Sequence, residues 1–271
     1  MSARAYARIR IKNSWHIHFR KCISSNLPTR IRLRMSATVG SLDIIFGPMM
    51  AKKTTEALHG LDAWTRVFSG SISMYVSNKK DTRDEKVFST HNILLQNFVP
   101  VGIEEENITP SLVQNLADEV KKGGDIKSTI HFKTDKIAKV IPLLETGVID
   151  YLVIDEAQFF PDLDLLIPIP DYIPVKIKVY GLLADFNRNR FGGMLDLIPG
   201  ADNVIHLKAQ CTDCAERGID SEAVYSYLYN RPSVPSLPSS PPAGCEGEGE
   251  VCIVGGGDLY KALCRKCYLI Q

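Results

Sequence analysis

Short apolar runs alternate along the chain with longer amphipathic stretches. β-Branched and other apolar residues cluster in four runs, which predict strands near 42–47, 72–77, 151–155 and 176–181. Three helices are predicted, at 53–68, 111–122 and 135–145. The segment 100–110 is expected to form a solvated loop, with Ser111 capping the helix that follows. Strands separated by helices predict an α/β fold with a parallel sheet and right-handed crossovers.

The first predicted strand leads into a segment that matches most of a phosphate-binding loop. The run GPMMAKKT at 47–54 fits the pattern G-x-x-x-x-G-K-[ST], except that Lys52 stands in place of the second glycine. In such loops the backbone N–H groups and the N-terminal end of the helix face an anion. Lys53 would then neutralise a phosphate and Thr54 would hold Mg²⁺. An ordinary strand–turn–helix connection is the alternative.

Acidic residues end another predicted strand. Asp155 and Glu156 close the run that begins at Tyr151, and Phe159 and Phe160 follow them. Open α/β sheets bind ligands at the carboxyl ends of their strands. An acid in this place can lie beside Mg²⁺ opposite a phosphate-binding loop. The alternative is a capped strand end with two core phenylalanines.

Four of the seven cysteines form two C-x-x-C pairs, Cys211–Cys214 and Cys264–Cys267. Each pair can present two thiolates to one tetrahedral ion, so the four predict a structural Zn²⁺ site. Disulfides or chance pairing are the alternative. Cys245 and Cys252 have a spacing that fits no common zinc knuckle, and we predict free thiols there.

These motifs, in this order, resemble the cytosolic-type (type II) thymidine kinase family. The resemblance extends from about Leu42 to Tyr268 and includes short motifs at 80–83, 90–91, 181–186 and 254–260. It implies an α/β fold: a P-loop parallel sheet flanked by helices, with a small C-terminal zinc-binding lobe and a lasso loop. It also implies transfer of the ATP γ-phosphate to the 5'-hydroxyl of thymidine or deoxyuridine with Mg²⁺, in pyrimidine deoxynucleotide salvage. A homotetramer is the assembly that the resemblance suggests.

The resemblance also implies roles for individual positions. Glu156 would accept the proton of the 5'-hydroxyl, and Asp155 would support the Mg²⁺ shell. The implied ATP and phosphate contacts are Gly47, Pro48, Met50, Ala51, Lys52, Lys53, Thr54, Thr55, Asp81, Arg83, Asp155 and Gln158. The implied nucleoside contacts are Met49, Phe159, Leu182, Phe186, Phe191, Ser226, Val251, Val254, Gly255, Gly256 and Tyr260. The implied zinc ligands are Cys211, Cys214, Cys264 and Cys267.

Some of these positions have simpler interpretations. Asp81 and Arg83 could form an ordinary loop ion pair, and Phe186 and Phe191 could belong to the core.

Three residues depart from the family pattern. Ala157 replaces a glycine and Ser226 a threonine, and both changes keep a small side chain. Lys52 replaces the loop glycine, and a left-handed backbone there would cost roughly 1–2 kcal/mol. Lys52 could either add a phosphate contact or leave a nucleotide-binding relative without catalysis.

The two ends of the chain differ in composition from its middle. Residues 1–40 contain nine of the 32 basic residues and none of the 31 acidic ones. This segment suits a transit peptide, an exposed basic arm, or sequence upstream of a true start at Met35. The expected domains are a basic extension at 1–40, a P-loop kinase domain at 41–205, and a zinc-binding lobe with lasso and Pro/Ser-rich insertion at 206–271.

Composition excludes some classes of protein. No apolar run is long enough for a transmembrane helix, so we expect no membrane partner. Residues 41–271 are net acidic, which argues against a zinc-ribbon protein that binds nucleic acid. The cysteine pattern suits a reducing compartment, so we expect a cytoplasmic protein, or a mitochondrial or plastid one if the extension is a transit peptide.

Overall fold

The computed structural model describes residues 39–68, 70–81, 101–103, 107–122, 129–230 and 259–271, and for 101–103 it describes the backbone alone. The predicted basic extension lies almost wholly outside these residues. The Pro/Ser-rich insertion also lies outside them from residue 231 onward, as do Cys245 and Cys252. The expected domain boundaries therefore stay predictions.

Seven parallel strands form the central sheet. They are β1 (Ser41–Phe46), β2 (Ile72–Asn78), β3 (Val101–Ile103), β4 (Thr129–Thr134), β5 (Ile149–Ile154), β6 (Lys176–Gly181) and β7 (Asn203–His206). Their order across the sheet is β3-β4-β2-β5-β6-β1-β7, and each neighbouring pair is parallel. Parallel strands all end at the same edge, so the segments that follow β1, β2, β5 and β6 meet there.

Helices connect and cover these strands. The α-helices of the described residues are α1 (Lys53–Val67), α2 (Pro110–Lys121), α3 (Ile141–Leu144), α4 (Thr212–Ala215) and α5 (Arg265–Leu269). Short 3₁₀ segments occur at Ile137–Lys139, Ala157–Phe159, Leu163–Leu166, Ile169–Asp171 and Met194–Gly200. None of these helices is both long and apolar enough to cross a membrane.

Alternating side chains of the strands build two separate cores. Met74, Val76, Leu152 and Ile154 belong to the larger cluster, which includes residues of α2 and the 3₁₀ segments. The intervening strand residues point to the opposite face and pack under α1: Ile45, Tyr75, Tyr151, Val153 and Tyr180. Both faces of the sheet are therefore buried, which is the usual condition of an all-parallel sheet.

A small lobe follows the sheet in sequence. Two antiparallel ribbons build it: β8 (Ala209–Gln210) with β9 (Glu222–Ala223), and β10 (Tyr225–Leu228) with β11 (Tyr260–Leu263). The third apolar cluster combines residues of this lobe with Ala51 from the turn after β1. The predicted fold class, a parallel α/β sheet flanked by helices with a cysteine-containing C-terminal lobe, is thus confirmed.

Several local predictions were wrong. The predicted helix at 135–145 is a 3₁₀ turn followed by the four-residue α3, because Pro142 lacks the N–H that would continue the first turn. Part of the predicted loop at 100–110 is β3, which pairs with β4 at the sheet edge. The predicted strands did not include β4 or β7, whose Thr, His, Lys and Asn residues interrupt the apolar pattern.

The predicted cap of α2 was also wrong. Thr109 is the N-cap, with an extended backbone and a side-chain oxygen that accepts from Leu112 N at 3.2 Å. Pro110 takes the first helical position, where its missing N–H is not needed. Ser111 lies within the first turn.

We expect Thr109→Ala to lower the free energy of unfolding by about 1 kcal/mol, because it leaves an N–H of the first turn without its acceptor. Ser111→Ala is the matched control, and its effect should stay within about 0.5 kcal/mol. Chemical denaturation of the full chain measures both. Equal effects of the two substitutions would contradict the assignment of the cap.

Candidate functional site

The turn between β1 and α1 has the form of a phosphate-binding loop, and its first residue must be glycine. A Cβ on Gly47 would lie 2.3 Å from the carbonyl oxygen of Leu207, which follows β7. Further along the turn, Met50 and Lys52 have φ of 65° and 59°, in the left-handed region. Lys52 thus adopts the left-handed backbone conformation that favours glycine, the residue that the motif has at this position.

The Lys53 ammonium lies inside this loop. Its Nζ donates to the carbonyl oxygens of Gly47 at 3.1 Å and Pro48 at 2.8 Å, and the residue is buried. These two hydrogen bonds keep the positive charge of Lys53 close to the N–H groups at the start of α1. The loop therefore offers an anion both a cation and a helix N-terminus.

Asp155 connects the loop to the sheet. Its Oδ2 accepts from Thr54 Oγ1 at 2.7 Å and from the Tyr75 hydroxyl at 2.8 Å, while its Oδ1 accepts from Glu156 N at 2.9 Å. Burial, reinforced by the negative charge of Glu156, raises the pKa of Asp155 to about 6 in spite of these three donors. The carboxylate and the Thr54 hydroxyl form an oxygen pair of the kind that Mg²⁺ prefers.

Glu156 is held next to Asp155 in a strained conformation. Its φ is 49°, and its side chain is only 8% exposed. Gln158 Nε2 donates to Glu156 Oε2 at 2.5 Å, and Gln158 Oε1 accepts from Leu182 N at 3.0 Å. A Cβ on Gly181 would come within 2.6 Å of Gln158 Oε1, so the glycine at the end of β6 leaves room for this bridge. Gln158 thus fixes the direction of the Glu156 carboxylate.

Two aromatic pairs consist of residues that were predicted to contact the nucleoside. Phe159 and Phe191 meet edge to face, with ring centroids 5.7 Å apart, and both are half-buried. Phe186 faces Tyr260 at 6.4 Å, and both are largely buried. Phe160, in contrast, belongs to the larger core cluster.

Ser226 on β10 contacts the phosphate-loop turn directly. Its Oγ accepts from Met49 N at 2.9 Å. Two residues predicted to contact the nucleoside are therefore bonded to each other, and the small lobe meets the turn after β1 at this point.

The four knuckle cysteines converge on one point. Their sulfur atoms all lie within 4.8 Å of one another, with Cys214 3.5 Å from Cys267 and 3.9 Å from Cys264. Tetrahedral Zn²⁺ with bonds near 2.3 Å would place thiolates about 3.8 Å apart, so the donor set fits. None of the four forms a disulfide, which is compatible with the predicted zinc site.

The pKa values of two of the cysteines shift in opposite directions, and burial raises that of Cys267 to about 12 although an arginine lies beside it. Arg217 Nη2 lies 3.0 Å from Cys267 Sγ and 3.6 Å from Cys214 Sγ. The backbone N–H of Cys267 donates to Cys264 Sγ at 3.5 Å, and this bond lowers the pKa of Cys264 to about 6.

Other predicted site residues occupy varied positions. Asp81 is buried just after β2, where its carbonyl oxygen accepts from Lys133 Nζ at 2.9 Å. Thr55 is exposed on α1. Five predicted contacts lie outside the described residues: Arg83, Val251, Val254, Gly255 and Gly256.

Several contributors to the site were missed in the sequence. Tyr75 lies inside a predicted strand and Asn78 at its end, where Asn78 Nδ2 donates to the Phe159 carbonyl at 3.2 Å. Arg217 belongs to no motif, although it lies three residues beyond Cys214. Only for Tyr75 did the sequence offer a signal, namely a residue with a polar hydroxyl inside a strand predicted to be buried.

Comparisons with known proteins give a consistent result. A family model described as thymidine kinase matches residues 117–268, over half of the chain. Cytosolic thymidine kinase of Cricetulus griseus is 28% identical over 243 residues, covering 90% of this chain and 79% of that protein. The thymidine kinase of Oryza sativa subsp. japonica is 28% identical, and the match covers 85% of this chain and 66% of that protein. The thymidine kinase of Amsacta moorei entomopoxvirus is 26% identical, and the match covers 84% of this chain and 97% of that protein.

The left-handed backbone at Lys52 predicts a gain in stability on substitution by glycine. Relative to Lys52→Ala, which keeps a Cβ but loses the ammonium, Lys52→Gly should raise the free energy of unfolding by about 0.5–1 kcal/mol. Denaturant titration of both variants measures the difference. A glycine variant no more stable than the alanine variant would contradict the assigned φ.

The raised pKa of Asp155 predicts a pH-dependent effect of Asp155→Asn. Because the folded pKa exceeds the unfolded value, ionisation of Asp155 removes stability as pH rises through about 6. Between pH 4 and pH 7 the variant should therefore gain about 1–3 kcal/mol relative to the parent, without nucleotide or metal. Exposed Asp164 supplies the control, Asp164→Asn. A parent–variant difference that stays constant with pH would refute the shift.

Proposed function

The chain belongs to the thymidine kinase family, and from that premise we propose that it transfers the γ-phosphate of ATP to the 5'-hydroxyl of thymidine or deoxyuridine. One observation carries the proposal. The Thr54 hydroxyl and the Asp155 carboxylate are hydrogen-bonded at 2.7 Å, so a phosphate loop and a pair of acids share one edge of the sheet. Phosphoryl transfer needs that juxtaposition, because its catalysis consists mainly of positioning and charge stabilisation.

Glu156 is the proposed general base. It is buried next to Asp155, and the bond from Gln158 holds its carboxylate at the end of β5, where it could accept the proton of a 5'-hydroxyl. Gln158 was predicted to contact ATP, but its two hydrogen bonds favour a role in positioning Glu156 instead.

The phosphates of ATP would lie in the loop from Gly47 to Thr54. Lys53 can exchange its bonds with Gly47 and Pro48 for phosphate oxygens without leaving the loop. Thr54 and Asp155 would hold Mg²⁺, which neutralises charge on the phosphates. The remaining proposed contacts to ATP or its metal are Met50, Ala51, Lys52, Thr55, Asp81 and Arg83.

The nucleoside base would lie among the aromatic residues near Glu156. Phe159 and Phe191 form one wall, and Phe186 with Tyr260 forms another. Leu182 and Met49 complete the proposed apolar contacts, and Ser226 orients Met49 through its backbone N–H. Main-chain groups of the lasso, at Val251, Val254, Gly255 and Gly256, would read the pyrimidine edge.

Lys52 is compatible with catalysis in this proposal. The loop reaches its left-handed conformation at position 52 with lysine, while Lys53 keeps its bond to the Gly47 carbonyl and Thr54 its bond to Asp155. The runner-up function is a nucleotide-binding relative in which Lys52 has abolished turnover.

The four cysteines would bind Zn²⁺ as a structural ion, since four protein thiolates leave no open position for substrate. We also propose a role in deoxynucleotide salvage and a homotetrameric assembly, both by family resemblance. The N-terminal extension as a transit peptide stays a prediction.

The test is ATP-dependent phosphorylation of thymidine by the full chain and by Glu156→Gln. Loss of the base should lower kcat by about 10²–10⁴-fold with little change in either KM. Glu119→Gln, on the exposed face of α2, is the control and should retain parental kinetics. An active Glu156→Gln variant would overturn the assignment of the base.

Lys52→Gly separates the two candidate functions. An inactive parent that Lys52→Gly rescues would mean that lysine has damaged an otherwise intact kinase. Inactivity of both, combined with a melting temperature that rises with ATP, would favour the non-catalytic nucleotide binder.

A further inference from the structure

A tight turn after β6 carries Phe186 and presents it to the proposed nucleoside site. Ala184 and Arg190 form a β-bridge across the turn. The Asp185 carboxylate accepts from the N–H groups of Asn187 and Asn189, each at 2.8 Å. Local hydrogen bonds therefore define the shape of the turn, but they do not fix its position relative to the rest of the site.

Two contacts with the small lobe contribute to that position, beside the ion pair of Arg190 with Asp196 and the packing of Phe186 against Tyr260. The Tyr268 hydroxyl donates to the carbonyl oxygen of Phe186 at 2.8 Å. The Arg188 guanidinium lies 4.9 Å from the centre of the Tyr268 ring and 5.9 Å from that of Tyr225. Arg188 has φ of 67°, so the contacts act on a residue held in a conformation that arginine seldom adopts.

Tyr268 is itself held by the second cysteine pair. It follows Cys267 directly, and its N–H donates to the Cys264 carbonyl at 2.9 Å. Its ring packs against Tyr225 at 5.0 Å and Tyr227 at 6.0 Å. The residue that bonds to the Phe186 carbonyl is therefore anchored at the cysteine cluster.

We propose that Tyr268 and Arg188 are positioning residues that couple the zinc knuckle to nucleoside binding, an inference that rests on the proposed function. Tyr268 fixes the backbone at Phe186, and Arg188 packs the turn against the rings of Tyr268 and Tyr225. A disturbed knuckle would release the turn and weaken binding of the nucleoside, while the phosphate loop would keep its own contacts. Neither residue touches the reacting atoms.

The test compares Tyr268→Phe with Tyr227→Phe in the full, zinc-loaded chain. Tyr268→Phe keeps the ring but deletes the bond to Phe186, whereas Tyr227 donates no hydrogen bond to the turn among the described contacts. Amide hydrogen exchange in a peptide spanning 183–192 measures order in the turn without any need for turnover. We expect faster exchange in Tyr268→Phe and parental exchange in Tyr227→Phe.

Steady-state kinetics provide the second readout. Tyr268→Phe should raise KM for thymidine about three- to tenfold, the equivalent of one lost hydrogen bond, with KM for ATP unchanged. Arg188→Gln keeps a left-handed non-glycine residue but removes the cation, and it should act in the same direction.

The outcomes separate the claims. Parental exchange in both Tyr268→Phe and Arg188→Gln would overturn the positioning role, whatever the activity of the chain. Faster exchange with an unchanged KM for thymidine would overturn the link to the nucleoside. A parent that fails to phosphorylate thymidine would refute the proposed function, and the exchange measurement would still decide the positioning role.

Discussion

The buried carboxylate of Asp155 is the group on which the arrangement of the site depends. It accepts hydrogen bonds from Thr54 at the start of α1, from Tyr75 on β2 and from the N–H of Glu156. These donors come from separate elements, so one side chain sets the distance between the phosphate loop and the end of β5. Burial still raises its pKa, which means that the three donors do not fully offset the loss of water. A cation at this point would supply the missing stabilisation.

The sequence predicted the central strands well because their burial is simple. β1, β2, β5 and β6 lie inside the sheet, where apolar side chains are needed on both faces. The edge strand β7 is exposed along its whole length and so lacks that pattern. β4 was missed for a different reason: Thr129 and His131 pair with Ser73 and Ser77 on β2, and such cross-strand bonds cannot be read from one strand alone.

Residue chemistry by itself predicted the site only where its residues belong to a local motif, and the other site residues came from the family resemblance. Lys53, Thr54, Asp155 and the cysteines each follow a short pattern whose chemistry is recognisable. The structure joins Thr54 to Asp155 and gathers the four cysteines around one point. The bond of Gln158 to Leu182 depends on the packing of β5 beside β6. Ser226 reaches Met49 across 177 residues of sequence. Contacts of this kind come from the tertiary fold, and the spacing of residues in the sequence does not predict them.

The two glycine positions of the phosphate-loop motif have different physical grounds in this chain. At Gly47 the requirement is steric, because the Leu207 carbonyl oxygen occupies the space that a Cβ would need. At position 52 the requirement is conformational, and the left-handed backbone costs lysine only about 1–2 kcal/mol. The hydrogen bond from Glu56 N to the Lys52 carbonyl at 2.9 Å begins α1 and holds that conformation. A loop can therefore lose its second glycine at a modest cost in stability, whereas loss of the first would displace the strand end on which the loop is built.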